Sequence, residues 1–157
     1  MKITLLLTGK TESESVRAIM NDFIKRIGRY SNFELVELPD IKNAKNLTSE
    51  QYKNKEAEIQ EKYLVKSDLI VLLDEYGKEL TSLDFARFLE NKLQTGIKNM
   101  MFVVGGAFGF SDEIKKKAHV QLSLSKMTFP HQLVRMIFLE QLYRAFTIIR
   151  NEKYHHS

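Results

Sequence analysis

Five short apolar runs punctuate the chain, at Lys2–Leu7, Phe33–Glu37, Asp68–Leu73, Asn99–Val104 and Val120–Leu124. Each is rich in Leu, Ile, Val, Met or Phe and too short for a stable isolated helix, so each predicts a strand. Between them, apolar residues recur at helical spacing over Glu12–Ile27, Ser49–Val65, Leu83–Gln94, Asp112–Ala118 and His131–Ile149. Strands alternating with helices build βαβ units, and the expected class is α/β with a mostly parallel five-stranded sheet flanked by helices. Asp68–Leu73 is apolar on both faces, which predicts a central strand covered on each side.

Boundary signals agree with these elements. Thr81-Ser82-Leu83-Asp84 has the spacing of a capping box, and Ser111-Asp112-Glu113 offers a cap followed by first-turn acids. Pro130 falls in the first turn of the last helix, where its missing N–H costs nothing. Only Pro39 through Asn46 forms a longer polar connection, so 1–157 is expected to be one domain.

Composition narrows the function classes. The 157 residues include no cysteine, which removes disulfides and thiolate zinc sites, and with four histidines no metal centre is expected. The apolar island near the N-terminus is too short for a signal-peptide core, and 100–110 is too short to span a bilayer, so a cytoplasmic protein with no membrane partner is expected. A net charge of +4 favours a polyanionic partner without requiring one.

The chemistry concentrates in the last third. Gly105-Gly106 directly follow the fourth apolar run and Gly109 precedes a helix. In a parallel sheet, ligands bind beyond the carboxyl ends of strands, where glycine permits close approach to the backbone. On local spacing alone, a tight strand-to-helix turn is the preferred reading of these glycines. Leu73 to Lys78 follows the third run in the same manner, placing a second loop on that edge; Asp74 there reads as a turn residue. The segment Leu124-Ser125-Lys126-Met127-Thr128-Phe129 joins the last strand to the last helix. Its hydroxyls and backbone suit the hydrogen-bonding edge of a purine, and its apolar members suit pocket walls or a plug for the core. On the last helix, Leu133, Val134, Ile137, Phe138, Leu142 and Phe146 form a broad stripe expected to serve core and subunit interface.

The string from Gly105-Gly106 through Ser123-Leu-Ser-Lys-Met-Thr-Phe-Pro-His131, Arg135, Glu140-Gln141, Tyr143-Arg-Ala-Phe146 and Tyr154-His155 resembles the RlmH family of SPOUT-type methyltransferases, in order and spacing. The resemblance extends over essentially the whole chain and is most specific from Leu122 to Phe146. It implies S-adenosyl-L-methionine-dependent methylation of N3 of a pseudouridine in 23S rRNA, on the assembled ribosome, by a homodimer whose sites use both subunits. It also implies a C-terminal trefoil knot, which no sequence pattern displays.

By the same resemblance, Leu73, Gly105 and Leu124 through Phe129 (Leu124, Ser125, Lys126, Met127, Thr128, Phe129) hold the cofactor. An imide nitrogen attacks only after losing its proton, so the site needs a base or a cationic environment, and the candidates are His131, Arg135, Tyr154 and His155. The His156-Ser157 ending departs from the family's usual basic terminus. Two other classes compete: a non-catalytic ribosome-binding protein, and an α/β enzyme acting on a free nucleotide.

Overall fold

Every expected strand and helix forms in the computed structural model, which describes residues 1–156. The order is β1 (Lys2–Leu7), α1 (Glu14–Ile27), β2 (Asn32–Glu37), α2 (Ser49–Leu64), β3 (Leu69–Glu79), α3 (Ser82–Gln94), β4 (Asn99–Val104), α4 (Asp112–Lys117), β5 (Val120–Ser123) and α5 (His131–Ile149). A short 3₁₀ turn, Ala44–Asn46, interrupts the polar connection after β2. All strand pairs are parallel, and the sheet runs β2-β1-β4-β3-β5.

Alternation along the strands divides the interior in two. Ile3, Leu5, Leu7, Val71, Leu73, Met100, Phe102 and Val104 point to the face covered by α1, α3 and α5. Leu6, Ile70, Leu72, Met101 and Val103 point to the face covered by α2 and α4. The first core is the more aromatic, with Phe102 and Phe138 at 4.7 Å between ring centroids and Phe85 edge-on to both. Burying a phenylalanine contributes roughly 1.5–3 kcal/mol relative to leaving it exposed, so this cluster pins α5 to the sheet.

Three helix starts are sealed by the expected kind of side chain. Ser13, Thr81 and Ser111 each accept a hydrogen bond from the backbone N–H three residues on. Asp84 does not complete a box: its carboxylate accepts from the Thr81 hydroxyl rather than from the Thr81 backbone. The reciprocal capping box belongs to α2, between Thr48 and Gln51. Pro130 is the cap itself, one residue before the helix.

Two expectations need correction. The strand at the centre of the sheet is β4, while β3 lies one place out, between β4 and β5. Both have apolar faces covered on each side, so burial alone did not rank them. The segment from Asp74 to Lys78 is not a loop leaving the strand. Leu73 and Lys78 both pair with Leu122, so 74–77 bulge out and the strand resumes to Glu79. The bulge is polar and therefore reads as a loop. Its return requires Gly77, where an added Cβ would lie 2.6 Å from the Gln121 carbonyl carbon and 2.7 Å from the Leu122 nitrogen.

The bulge yields a prediction. Gly77→Ala forces β3 away from the β5 backbone, which cannot retreat as a flexible side chain would. Urea unfolding should report a loss of roughly 1–3 kcal/mol, against less than 0.5 kcal/mol, to order of magnitude, for a substitution at the exposed Lys126.

Candidate functional site

Parallel strands end on one side, and here the ends of β3, β4 and β5 meet the start of α5. Between them lies a cleft of about 460 Å³, inside the roughly 300–1,000 Å³ range of small-molecule sites. Leu73 and the 74–76 bulge form one wall, Gly105 through Phe110 the floor, and Leu124, Ser125, Met127, Thr128 and Phe129 the opposite wall. His131 and Val134 close it from the first turn of α5, while Lys53 of α2 and Lys115 of α4 stand at its edge. A smaller cavity of about 210 Å³ opens behind Leu73, Leu124 and Phe129, lined by Phe85, Phe138 and Gln141 among others.

Local bonds fix these walls. Ser123 donates its hydroxyl to the Ser125 carbonyl, and the Met127 N–H donates to Ser125 Oγ, which curls 123–127 into successive turns. Thr128 donates to Glu75 Oε2 at 2.8 Å, tying that wall to the bulge opposite. Asp74 accepts from the Tyr76 N–H, the turn role expected of it. The glycine loop closes on itself, Gly109 N–H donating to the Gly106 carbonyl at 3.1 Å. Gly109 has a φ of 80°, a left-handed conformation that favours glycine. An added Cβ at Gly105 would press on the Phe110 ring at 3.2–3.4 Å. Tyr76, Phe108 and Met127 are exposed apolar groups at the mouth.

The cleft therefore gathers Leu73, Gly105, Leu124, Ser125, Met127, Thr128, Phe129 and His131. Lys126 is not in its lining: the side chain is 87% exposed, with Glu79 as a distant partner at 3.9 Å. Arg135, one turn beyond His131, is fully buried. Its guanidinium donates to the Thr8 carbonyl at 2.9 Å and to Thr11 Oγ at 3.0 Å, holding the loop after β1 against α5, and its Nε has no partner. Gln132 reinforces that junction, donating to the Lys10 carbonyl and accepting from the Glu12 N–H. Burial, and then the Arg135 charge, hold the His131 imidazole below its usual value, so it is neutral at pH 7.

Tyr154 and His155 lie elsewhere. A left-handed turn at Asn151 (φ 55°) folds the tail back along α5. The Tyr154 hydroxyl donates to Glu140 Oε1 at 3.1 Å, its ring meets Tyr143 edge-on at 4.7 Å, and Arg144 covers it at 4.8 Å. His155 Nδ1 is 3.1 Å from an Arg144 nitrogen, and Arg144 is itself paired with Glu140 at 2.6 Å. Burial and the Glu140 hydrogen bond raise the Tyr154 phenol above its usual value. The tail is packed rather than frayed. The anchor at Glu140 is about 14 Å along the helix from His131, counting nine residues at 1.5 Å each, so these two residues do not reach the cleft of their own chain. Ser157 lies outside the described residues.

Sequence reasoning missed a group beneath the floor. Glu56 of α2 is 3% exposed, its Oε1 has no hydrogen-bond partner among the described residues, and an added Cβ on Gly106 would lie 2.2 Å from its Oε2. Burial pushes its carboxyl up to about 7. A glutamate in a lysine-rich helix reads as solvent-facing; the available signal was its i,i+4 spacing from Tyr52 and Gln60, which also face inward. Tyr52 meets Phe108 edge-on at 5.3 Å, and Gln60 donates to Thr8 Oγ, which donates to the Val104 carbonyl.

Set beside known proteins, residues 1–155 match the family model described as predicted SPOUT methyltransferase. The chain is 49% identical to the ribosomal RNA large subunit methyltransferase H of Flavobacterium johnsoniae and 50% identical to that of Parabacteroides distasonis, each over 157 residues and the whole of both chains. The chain belongs to the SPOUT methyltransferase family, within its large-subunit ribosomal RNA methyltransferase H group. Among solved structures, a probable methyltransferase from Bordetella pertussis superposes with a TM-score of 0.59 at 12% identity, over 92% of this chain and 95% of that one. A Legionella pneumophila protein in complex with SAM superposes with a TM-score of 0.50 at 15% identity, over 92% and 66%. Both share the fold. No helix among the described residues is long and apolar enough to cross a membrane.

The buried carboxyl makes stability depend on pH. Its folded value, about 7, lies above the unfolded value near 4.5, so the folded state holds the proton more tightly and stability falls as pH rises through that window. The total, to order of magnitude, is roughly 3 kcal/mol. In Glu56→Gln this loss should vanish, so chemical denaturation should find the variant gaining on wild type from about pH 5 to about pH 8.

Proposed function

We propose that this chain transfers the methyl group of S-adenosyl-L-methionine to N3 of a pseudouridine in 23S rRNA, on the assembled ribosome, as a cytoplasmic homodimer. The observation that carries this reading is the convergence of Leu73, the Gly105–Gly106 floor and the 124–129 wall on one cleft beside His131.

The cleft fits the methyl donor. Leu73, Leu124 and Phe129 offer apolar surface for an adenine ring, and the turns of 123–128 leave backbone groups for its polar edge. Lys53 and Lys115 at the edge suit a ligand carboxylate. When bound, the cofactor supplies an electrophilic methyl group on a sulfonium.

The protein's own part is to hold the target base in line and to take its N3 proton. His131 suits the second task, being neutral at pH 7 and in the cleft wall. Arg135 is a positioning residue: it braces the loop after β1 and depresses His131, and being buried it does not touch substrate. We assign Tyr154 and His155 to the cleft of a partner subunit, a role that the resemblance implies and that a tail anchored to Glu140 and Arg144, away from its own cleft, supports. The half-buried Val134, Met136 and Ile137 and the 37% exposed Leu133 on α5 support such an interface. Resemblance supports the knot, and residues 1–157 act as one methyltransferase unit.

Mass-spectrometric mapping of ribosomal RNA from a deletion strain tests the reaction: one methyl group should disappear from a large-subunit pseudouridine and return with the wild-type chain. Methylation of free nucleotides without ribosomes would favour a nucleotide enzyme instead. His131→Ala should keep cofactor binding by calorimetry and lose roughly 10²–10⁴-fold in methyl transfer. Because the imidazole is held low, the acid limb of the wild-type pH profile should fall below the ordinary histidine value of 6.5.

Complementation tests the shared site. A tail-truncated chain ending at Lys153 and His131→Ala should each be inactive alone. Mixed, unfolded and refolded together, they should regain activity, because a mixed dimer contains one cleft with an intact His131 facing an intact tail. Full activity of the truncated chain by itself would reject a catalytic tail.

A further inference from the structure

Glu56 is the one strongly perturbed carboxyl that the proposed reaction leaves unused. It is 97% buried by accessible surface, and among the described residues it has no ion-pair partner. It is also not in an arbitrary place. Helix α2 grips the carboxyl edge of the sheet with three side chains one turn apart: Tyr52 on Phe108, Glu56 under Gly106, and Gln60 on Thr8. Gly106 lines the cleft, and the Glu56 carboxyl fills the place that a Gly106 side chain would take, against the backbone of the cleft floor.

Burying a carboxyl without a counter-charge is costly, and the cost falls when a cation arrives nearby. The methyl donor carries a positive sulfonium. On transfer the S–CH₃ bond breaks with its electron pair remaining on sulfur, so the product, S-adenosylhomocysteine, has a neutral sulfide. The ligand's charge drops by one unit while its shape barely changes. Shape alone discriminates such a pair poorly, whereas a fixed charge behind a thin wall discriminates directly.

We infer that Glu56 is a specificity-determining residue that reads this charge: as a carboxylate under Gly106 it favours the cationic donor over the neutral product, and so promotes product release after transfer. The inference rests on the cofactor reading of the cleft. Tyr52 and Lys53 share its helix, Lys115 of α4 and His131 of α5 line the same cleft as Gly106, and Asp40 after β2 acts on Tyr52. Of these Tyr52 is directly coupled to it, its hydroxyl raised by burial and then by the Glu56 charge. Lys53 is engaged with Glu50 at 3.2 Å.

Calorimetric titration of the full chain with S-adenosylmethionine and with S-adenosylhomocysteine, at about pH 6 and about pH 8, tests it. In wild type the preference for the donor should grow as Glu56 ionises, on the order of ten-fold across that range. In Glu56→Gln, which reproduces the shape of the neutral acid, the preference should stay at the low-pH level, the ligands' own titrations being common to both proteins. A second measurement needs no variant. Repeated near pH 7 in buffers of different ionisation enthalpy, donor binding should release a fraction of a proton per site, since burial raises the Glu56 carboxyl to about 7, and product binding should release less. A preference equal in both proteins at both pH values, with both ligands bound, overturns the role of Glu56 and leaves the cofactor reading standing. Failure of wild type to bind either ligand overturns both.

Discussion

A sheet in which every strand is parallel must return each connection to the end where the previous strand began. Each of the four crossovers in this chain therefore spends a helix or a long loop on one face, and every strand delivers its carboxyl end to the same edge. This constraint organises the rest. The cleft, the loop after β1 that Arg135 braces, the glycine floor and the bulge in β3 all lie along that edge, where parallel sheets bind their ligands.

Polar groups at that edge bear costs that the two apolar cores cover. Among the described residues, Arg135 is enclosed with two hydrogen bonds and no carboxylate within ion-pair distance, and Glu56 is enclosed with its Oε1 unpartnered. Either would be unfavourable in isolation. The surrounding structure fixes them nonetheless, since α5 is pinned by Phe138 on Phe102, and α2 by Ala57 and Leu64 against the second core. The result is a site whose charges sit behind its walls: a cation behind His131 that adds to burial in lowering the imidazole, and an acid behind Gly106. Such groups shape what the cleft prefers without occupying ligand space.

The packed tail extends the same logic. A segment after the last helix ordinarily frays, but Tyr154 lies edge-on to Tyr143 beneath Arg144 and donates to Glu140, while Tyr30 donates to Glu152 at 2.6 Å. The anchored tail thus holds Tyr154 and His155 at fixed positions against α5.

Read alone, the sequence determined the elements, their order and the ligand edge. Runs such as Ile3 and Leu5 to Leu7, and caps such as Thr81 and Ser111, are local signals that each residue carries itself. The glycines after β4 and the 124–129 segment were legible for the same reason, and resemblance supplied their meaning. What tertiary structure alone decided was which residues met. The 74–77 bulge depends on Gly77 finding the β5 backbone, forty-odd residues away in the chain. Glu56 and Arg135 have unremarkable neighbours in sequence, and their burial exists only once α2 lies on the glycine loop and α5 on the end of β1. The same distance separates Tyr154 and His155 from the cleft that their place in the family motif suggested. Propensity and periodicity act over a few residues, whereas burial, and the shifts in proton affinity that follow from it, are set by whatever the whole chain brings alongside.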